Sequence, residues 1–300
     1  MPTKFSEADY LTGRVRVPPW FQALKQKPYS YTGQITVAAN SQGVVALPIQ
    51  ADSYFLAESL SVITPTETFE DALIQIQDTT TGQPWSNLPI PIRDIAGRGD
   101  NPFYFCVPNF LRPSSSINLT ITNGTGSAVV FYVTLSGQKV YGLTDAQVAF
   151  LTRRMFFEYK LILPAITSGS TNVQSVVNIF NESDFLLKKI WGSQIHNFVI
   201  NTAVALAGVK EVLVNLRDLT SDNNFFSAQA NARSISGAMF TPYLAGGNSF
   251  TNGRGYEYKR PFLIRRNGQI QGTWSNQSGT AISADTLAMT FEGVRIFDPS

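Results

Sequence analysis

The stretch Ala72-Leu73-Ile74-Gln75-Ile76-Gln77-Asp78-Thr79 alternates apolar and polar residues, which is the period of a half-buried β-strand. A second stretch of the same kind, Val212-Leu213-Val214-Asn215-Leu216-Arg217-Asp218-Leu219, occurs in the other half of the chain. Both stretches alternate, and both reach an aspartate near their end. The pair indicates that one strand-forming segment is present twice.

Further matches lie on either side of this pair and keep the same order in both halves. They are Phe55 and Phe185, Asn123 and Asn276, and Gly137 and Gly293. The separation between matched residues grows from 130 at Phe55 to 156 at Gly137, as longer loops in the second copy would produce. Because a solenoid or propeller repeats at a fixed period of roughly 20–50 residues, the pattern predicts one duplication of a whole domain.

Short strand-like segments separated by turn signals fill most of each half. The turn signals include Asn40-Ser41-Gln42-Gly43 and Thr81-Gly82-Gln83-Pro84. Strands at this spacing, without helical periods between them, are typical of a sandwich or jelly roll. We therefore predict an all-β chain with two tandem jelly-roll-like β-sandwiches.

One helix is predicted between the two copies. Thr144-Asp145-Ala146-Gln147 has the spacing of a capping box, and an apolar stripe follows it at Val148, Leu151, Met155 and Phe156. The resulting division of the chain is an N-terminal arm at 1–30, a first sandwich at 31–142, a short linker helix at 143–157 and a second sandwich at 158–300.

The composition favours association with other chains. Charged residues make up 15% of the chain and aromatic residues 12%, whereas typical domains carry about 25% charged residues. The alternative is simply a β-rich protein, but extended apolar surface usually marks an interface. The net charge of +2 gives no general argument for nucleic acid or membrane binding.

The sequence predicts no disulfide, no cofactor and no membrane span. Cys106 is the single cysteine, so we expect neither an intrachain disulfide nor a cysteine-based metal site. The longest uncharged stretch, Ile190 to Val209, is too polar to span a bilayer. Residues 1–21 lack the apolar core of a signal peptide, so we expect synthesis in a reducing cytoplasm.

Catalytic motifs are scarce, and we expect a protein without enzymatic activity. His196 is the single histidine, which excludes any metal centre that needs two of them. No nucleophile elbow or nucleotide-binding loop occurs. Glycoside hydrolysis needs only two carboxylates, and nothing in the sequence selects a pair from Glu67, Glu70, Asp71, Asp94 and Asp100.

Two segments carry candidate contact residues. In the arm, which Pro18-Pro19 prevents from forming one continuous helix, we expect Trp20, Phe21 and Leu24 to bury against a neighbouring copy. The second segment interleaves cations and aromatic residues at Arg254, Tyr256, Tyr258 and Arg260. This pattern suits a core strand with an interface rim, and secondly a groove for single-stranded nucleic acid.

The strand-and-turn pattern resembles that of bacteriophage virion structural proteins. The resemblance rests on the stretch from Asn101 through the Pro-rich Phe103–Pro113 segment to Asn123, and on the terminal Leu135–Tyr141 strand. The second copy repeats it in Arg260–Ile264 and Phe291–Phe297. Two tandem jelly rolls also resemble the double-jelly-roll capsid proteins of icosahedral viruses.

This resemblance implies a virion structural protein, made in the host cytoplasm, that self-assembles in a capsid or as a capsid-associated component. The implied partners are copies of the chain and other virion proteins, with contact between the basic arm and packaged nucleic acid as a further expectation. The alternatives are a collar, tail or fibre adhesin that binds surface glycan and, third, a glycoside hydrolase-like sandwich. Neither alternative is excluded by the sequence.

Overall fold

A computed structural model of the chain describes residues 17–65, 72–97, 101–194, 212–225, 235–236, 256–276, 281 and 287–298. The described residues are mostly β-strands, in agreement with the predicted fold class. The chain divides into two compact units, one formed by 1–158 with 293–300 and the other by 159–292.

The first eight strands form two antiparallel sheets. Their bounds are β1 Gln26–Val37, β2 Ser41–Pro48, β3 Tyr54–Ile63, β4 Ala72–Asp78, β5 Ile90–Pro91, β6 Phe103–Leu111, β7 Ser116–Asn123 and β8 Val129–Val140. One sheet has the order β1-β8-β3-β6 and the other β2-β7-β4-β5. A short 3₁₀ helix at Pro19–Ala23 precedes β1, and a one-turn helix at Ile92–Ile95 follows β5.

The remaining strands form a second pair of sheets. Their bounds are β9 Arg154–Ile162, β10 Val173–Asn178, β11 Asp184–Gln194, β12 Val212–Asp218, β13 Asn223–Asn224, β14 Ile235–Ser236, β15 Tyr256–Ile264, β16 Gln269–Asn276 and β17 Leu287–Ile296. One sheet has the order β9-β17-β11-β15 and the other β10-β16-β12-β13, with β14 paired to β12 outside this path.

Both halves have the same strand order. If β14 is left aside and the strands of each half are counted from one to eight, both halves contain sheets ordered 1-8-3-6 and 2-7-4-5. Two such four-stranded sheets, connected as Greek keys, define a jelly roll. The chain therefore contains two tandem jelly rolls, and β4 and β12, the strands that first indicated the duplication, occupy the same place in each.

The matched aspartates close the same turn in each copy. Asp78 accepts hydrogen bonds from the backbone N–H of Thr80 (2.9 Å) and the hydroxyl of Thr81 (3.0 Å). Asp218 accepts from the N–H of Thr220 (2.9 Å) and the hydroxyl of Ser221 (2.6 Å). Such aspartate turns form locally because the short side chain reaches the backbone two residues ahead.

A second repeated feature was not evident from the sequence. Tyr31 in β1 packs edge-on against Phe55 with a centroid distance of 4.9 Å, and Tyr159 in β9 packs against Phe185 at 4.8 Å. Each tyrosine hydroxyl accepts a backbone N–H, from Gln50 (3.1 Å) and from Phe180 (3.0 Å). The buried tyrosine thus satisfies its polar end while its ring fills the core.

The helix between the jelly rolls is shorter than predicted. It spans Asp145–Leu151 and has the predicted capping box, in which Thr144 and Gln147 each donate a backbone N–H to the other's side chain. Met155 and Phe156, predicted on its apolar stripe, lie instead in β9. The run from Met155 to Tyr159 is rich in aromatic residues, which favour a strand over a helix.

The matched asparagines fix the loops at one end of each copy. Asn123 is fully buried, and its amide donates to the carbonyls of Val37 (3.1 Å), Ala38 (3.1 Å) and Ser127 (2.8 Å). Asn276 is equally buried, and its amide donates over longer distances, to Thr167 (3.3 Å) and Ile166 (3.5 Å).

We predict that Asn123→Ala lowers the free energy of unfolding of the first jelly roll by about 2 kcal/mol, because it leaves buried carbonyls without a donor. Asn276→Ala should cost less, about 1 kcal/mol, since its bonds are longer. Thermal unfolding should show shifts of roughly 4–8 °C and 2–4 °C. Equal shifts for the two variants would contradict this reading of the geometry.

Candidate assembly surface

Phe21 lies in the core of the first unit, where the sequence predicted a contact with a neighbouring copy. It is 2% exposed and clusters with Leu56, Val140 and Leu151, while Trp20 and Leu24 pack partly buried around this cluster. Leu56 and Val140 sit on the outer face of the sheet, and an apolar sheet face must be covered by another element. Here the 3₁₀ helix and the capped helix cover it.

The first strand also begins earlier than expected. The ladder between β1 and β8 runs from Gln26 opposite Val140 to Val37 opposite Val129. Residues 26–30, assigned to the arm from the sequence, therefore belong to the first sandwich, and only the part before Val17 remains a candidate arm. That part, with Lys4, Arg14 and Arg16, lies outside the described residues.

The cation and aromatic segment forms β15, an edge strand of its sheet. The rings of Tyr258 and Phe262 lie 6.5 and 4.9 Å from the ring of Phe225, whereas Arg260 is exposed where the ladder to β11 is irregular. The side chain of Tyr256 is not among those described, and Arg254 lies outside the described residues. Tyr258 is partly buried and Arg260 is exposed, and an interface rim on this strand stays a prediction.

An exposed apolar group that the sequence did not single out lies on the outer face of the β1-β8-β3-β6 sheet. Tyr132 in β8 stands opposite Ile63 in β3, and Tyr104 extends from β6. Their exposures are 44%, 43% and 59%. We call these three residues the tyrosine face. The exposed neighbours on β1 are uncharged as well, namely Thr32, Gln34 and Thr36.

The β17 part of the corresponding face in the second jelly roll is buried. With the separation of 156 that relates Gly137 to Gly293, Tyr132 corresponds to Ala288 in β17, which is 2% exposed. Thr290 and Glu292, on the same side of β17, are fully buried. At this position of β17, the second copy therefore presents no exposed aromatic ring.

One buried cation lies at an end of the first jelly roll. The ammonium of Lys139 in β8 lies 4.5 Å from the ring centroid of Tyr29 and donates to both carboxylate oxygens of Asp52 (2.9 Å each) and to Gln50. The lysine side chain is 4% exposed and that of Asp52 55%. A cation at this distance from an aromatic face is attracted by the ring.

Asp52 and Lys139 shift each other's pKa in the directions expected for an ion pair. The hydrogen bond from Lys139 lowers the pKa of the Asp52 carboxyl, and Ser53 adds to the effect. Burial alone would lower the pKa of Lys139, but the hydrogen bond and the charge of Asp52 raise it. Both groups therefore stay charged over the neutral range.

The second copy has a similar pair with different residue types. The guanidinium carbon of Arg295 in β17 lies 5.0 Å from the ring centroid of Phe157 in β9. With the separations that relate Gly137 to Gly293 and Tyr31 to Tyr159, these residues correspond to Lys139 and Tyr29. A buried cation over an aromatic ring is thus a shared element of both jelly rolls, which indicates a structural role.

The described residues bring together no catalytic constellation of the kind considered from the sequence. His196, Glu67, Glu70, Asp71 and Asp100 lie outside them, and Asp94 is buried. Within the described ranges, no group of three or more histidine, cysteine, aspartate or glutamate side chains is placed to hold a metal ion. In the same ranges, no helix has the length and apolar composition to cross a membrane.

The class that the fold defines is a chain of two tandem jelly rolls. No protein-family model and no curated protein sequence matches the chain. Among solved structures, it is similar to the major capsid protein P2 of bacteriophage PM2, with 8% identity over 91% of this chain and 98% of that chain and a TM-score of 0.45.

Two further structures cover similar shares. PBCV-1 VP54, fitted into a reconstruction of the virophage Sputnik, is 12% identical over 92% of this chain and 96% of that chain, with a TM-score of 0.42. PNGase F, a glycosylasparaginase from Flavobacterium meningosepticum, is 11% identical over 91% and 96%, with a TM-score of 0.38. The predicted resemblance to double-jelly-roll viral capsid proteins is confirmed. It concerns the fold alone.

We predict that Phe21→Ala lowers the free energy of unfolding by about 3 kcal/mol, because it empties a site in a packed cluster. The midpoint of thermal unfolding should fall by roughly 6–12 °C. Gln22→Ala, at the exposed neighbouring position, is the matched control and should change little. If Phe21→Ala keeps its stability and instead loses association between copies, Phe21 is an intermolecular anchor after all.

We also predict a pH-dependent contribution from Asp52. Because its folded pKa is lowered, its stabilising effect is present above the unfolded value of about 3.9 and is lost as the pH falls through the folded pKa. Asp52→Asn should therefore be less stable than the wild type near pH 7, and the difference should shrink below about pH 4. Denaturant unfolding at several pH values measures this, and a difference that grows in acid would contradict it.

Proposed function

We propose that this chain is a structural subunit of a bacteriophage particle, which assembles with copies of itself in the capsid or as a capsid-associated component. The observation that carries the proposal is the combination of two complete jelly rolls in one chain with an uncharged, partly apolar outer face. Jelly rolls occur in viral capsids, although also in lectins and enzymes. The choice of a capsid role over these other functions therefore depends on the surface of the chain.

The tyrosine face supports assembly through its chemistry. Tyrosine is enriched at the centres of interfaces because its ring is apolar and rigid while its hydroxyl remains a hydrogen-bonding group. Tyr104, Tyr132 and Ile63 expose their side chains on adjacent strands, so burying them needs no rearrangement of the sheet. Such residues are suited to a partner that covers them permanently.

The proposed partners are copies of this chain and other proteins of the particle. The proposed location is the virion, after synthesis in the host cytoplasm. Contact of the segment before Val17 with packaged nucleic acid remains part of the proposal, through Lys4, Arg14 and Arg16. We propose that the chain acts by assembly and has no enzymatic activity.

A glycan-binding adhesin is the second candidate, and the same tyrosines favour it. Exposed tyrosine rings stack on the apolar faces of sugar rings, and the hydroxyl and amide side chains around them can bond sugar hydroxyls. The two functions differ in what occupies the tyrosine face, so one set of variants separates them.

We predict that the purified chain forms closed multimers, visible by electron microscopy and by sedimentation. The double variant Tyr104→Ser with Tyr132→Ser should raise the concentration needed for assembly at least tenfold, because two interface aromatics are lost. Leu88→Ser removes another exposed apolar residue, 37% exposed, away from this face and is the matched control. A chain that stays monomeric at all concentrations, or that binds glycan through these tyrosines, would overturn the proposal.

A further inference from the structure

The second strand of each jelly roll, β2 or β10, is an edge strand with an exposed valine at the corresponding position. Both strands stand at the end of their sheet order. Val44 in β2 is 52% exposed and Val176 in β10 is 44% exposed, and each precedes a buried valine, Val45 or Val177. A separation of 132 relates both pairs. The same surface feature is therefore built twice.

Neither strand contains a charged residue. β2 reads Ser-Gln-Gly-Val-Val-Ala-Leu-Pro and β10 reads Val-Gln-Ser-Val-Val-Asn. Natural proteins usually protect edge strands with charges, proline or bulges, because an open edge pairs with other chains. The edge strand β15 follows this rule with Glu257, Lys259, Arg260 and Pro261, and β1 does so with Lys27 and Pro28. β2 has only its terminal Pro48, and β10 has no such residue.

The absence of charge extends across the outer face of the sheet in the first copy. Nine of the outward residues of β2, β7 and β4 make up its central part: Gln42, Val44, Ala46, Asn118, Thr120, Thr122, Leu73, Gln75 and Gln77. Surfaces of soluble proteins are roughly 25–35% charged, so about three charges would be usual among nine residues. We call this surface the first amide face.

The second copy has a face of the same kind. It consists of Gln174, Val176, Asn178, Gln269, Gln271, Thr273, Ser275, Asn215 and Arg217 on β10, β16 and β12. Its single cation, Arg217, is paired with Asp222. We call this surface the second amide face.

Side-chain hydrogen bonds within the amide faces lower the cost of covering them. In the first face, Gln42 donates to the hydroxyl of Thr122 (3.0 Å). In the second, Gln271 donates to Gln174 (3.0 Å) and Gln269 donates to Asn178 (2.9 Å). An amide that already has a partner on its own sheet loses less when water is removed.

We propose that the two amide faces are contact surfaces between copies of this chain, an inference that rests on the proposed function. Charge supports this choice of occupant, because a neutral face meets another copy without repulsion. The described residues of the faces offer no unpaired cation to a nucleic-acid phosphate and no aromatic ring to stack on a sugar. A copy of the same chain fits such a surface, whereas those two ligand classes do not.

The size of each face indicates how the contacts are used. Three strands about 4.8 Å apart, with about seven residues at about 3.4 Å each, cover roughly 340 Å². A standard interface buries about 800 Å² on each partner, so one amide face alone is too small for a stable dimer. The chain is therefore expected to use both faces together with other contacts, as in a particle where each subunit touches several copies.

The test places charges on both amide faces. We expect the double variant Val44→Lys with Val176→Lys to need at least tenfold more protein for assembly than the wild type, because a charge placed in a neutral contact must be desolvated and like charges repel. The double variant Val44→Thr with Val176→Thr keeps the branched shape without charge and is the matched control, expected to assemble within about threefold of the wild type. Sedimentation across a concentration series measures both, and circular dichroism checks the fold.

The outcomes separate this inference from the proposed function. A wild type that never assembles defeats the proposed function, and this inference falls with it. A wild type that assembles, together with a lysine variant that assembles equally well, overturns the amide faces alone. If the lysine variant melts more than about 5 °C below the wild type, Gln42→Lys with Gln174→Lys replaces it, since both positions are exposed.

Discussion

The antiparallel ladder between β1 and β8 is the pairing on which the first jelly roll depends. It joins residues 26–37 to residues 129–140, and the sheet order places β8 between β1 and β3. Strands from the two ends of the domain must therefore meet before the sheet is complete, which makes the pairing entropically expensive. Two of the features common to both copies lie on these strands: Tyr31 on β1, and Lys139 on β8.

The duplication could be predicted because its signals are local in sequence. They are the alternation of apolar and polar residues in strands and the residue types that form turns. Asp78 and Asp218 are the same residue type because an aspartate turn needs that side chain. The buried cation was missed because the copies use different residues, Lys139 over Tyr29 and Arg295 over Phe157. A comparison of residue identities does not find a contact in which the type of interaction is kept but the residues differ.

The location of the candidate surfaces was harder to predict, for a physical reason. Alternation says which residues leave the core, but it does not say whether another element covers the outer face. Phe21 was expected on a neighbour for this reason, whereas it covers Leu56 within the unit. Conversely, Tyr104 and Tyr132 looked like ordinary strand aromatics, and only the sheet order places both on one open face, with Tyr132 opposite Ile63 and Tyr104 opposite Ser59.

The two copies differ on the outer face of one sheet and agree on the outer face of the other, and both observations bear on the proposed assembly. Their 1-8-3-6 sheets have diverged, because Tyr132 is open in the first copy while Ala288 is buried in the second. Their 2-7-4-5 sheets share the exposed valine and the amide side chains. The outward side chains of these sheets do not pack in the core of either copy. Folding alone therefore gives no reason for both outer faces to remain neutral. The proposed contact between copies supplies such a reason, because neutral faces on copies of one chain meet without repulsion.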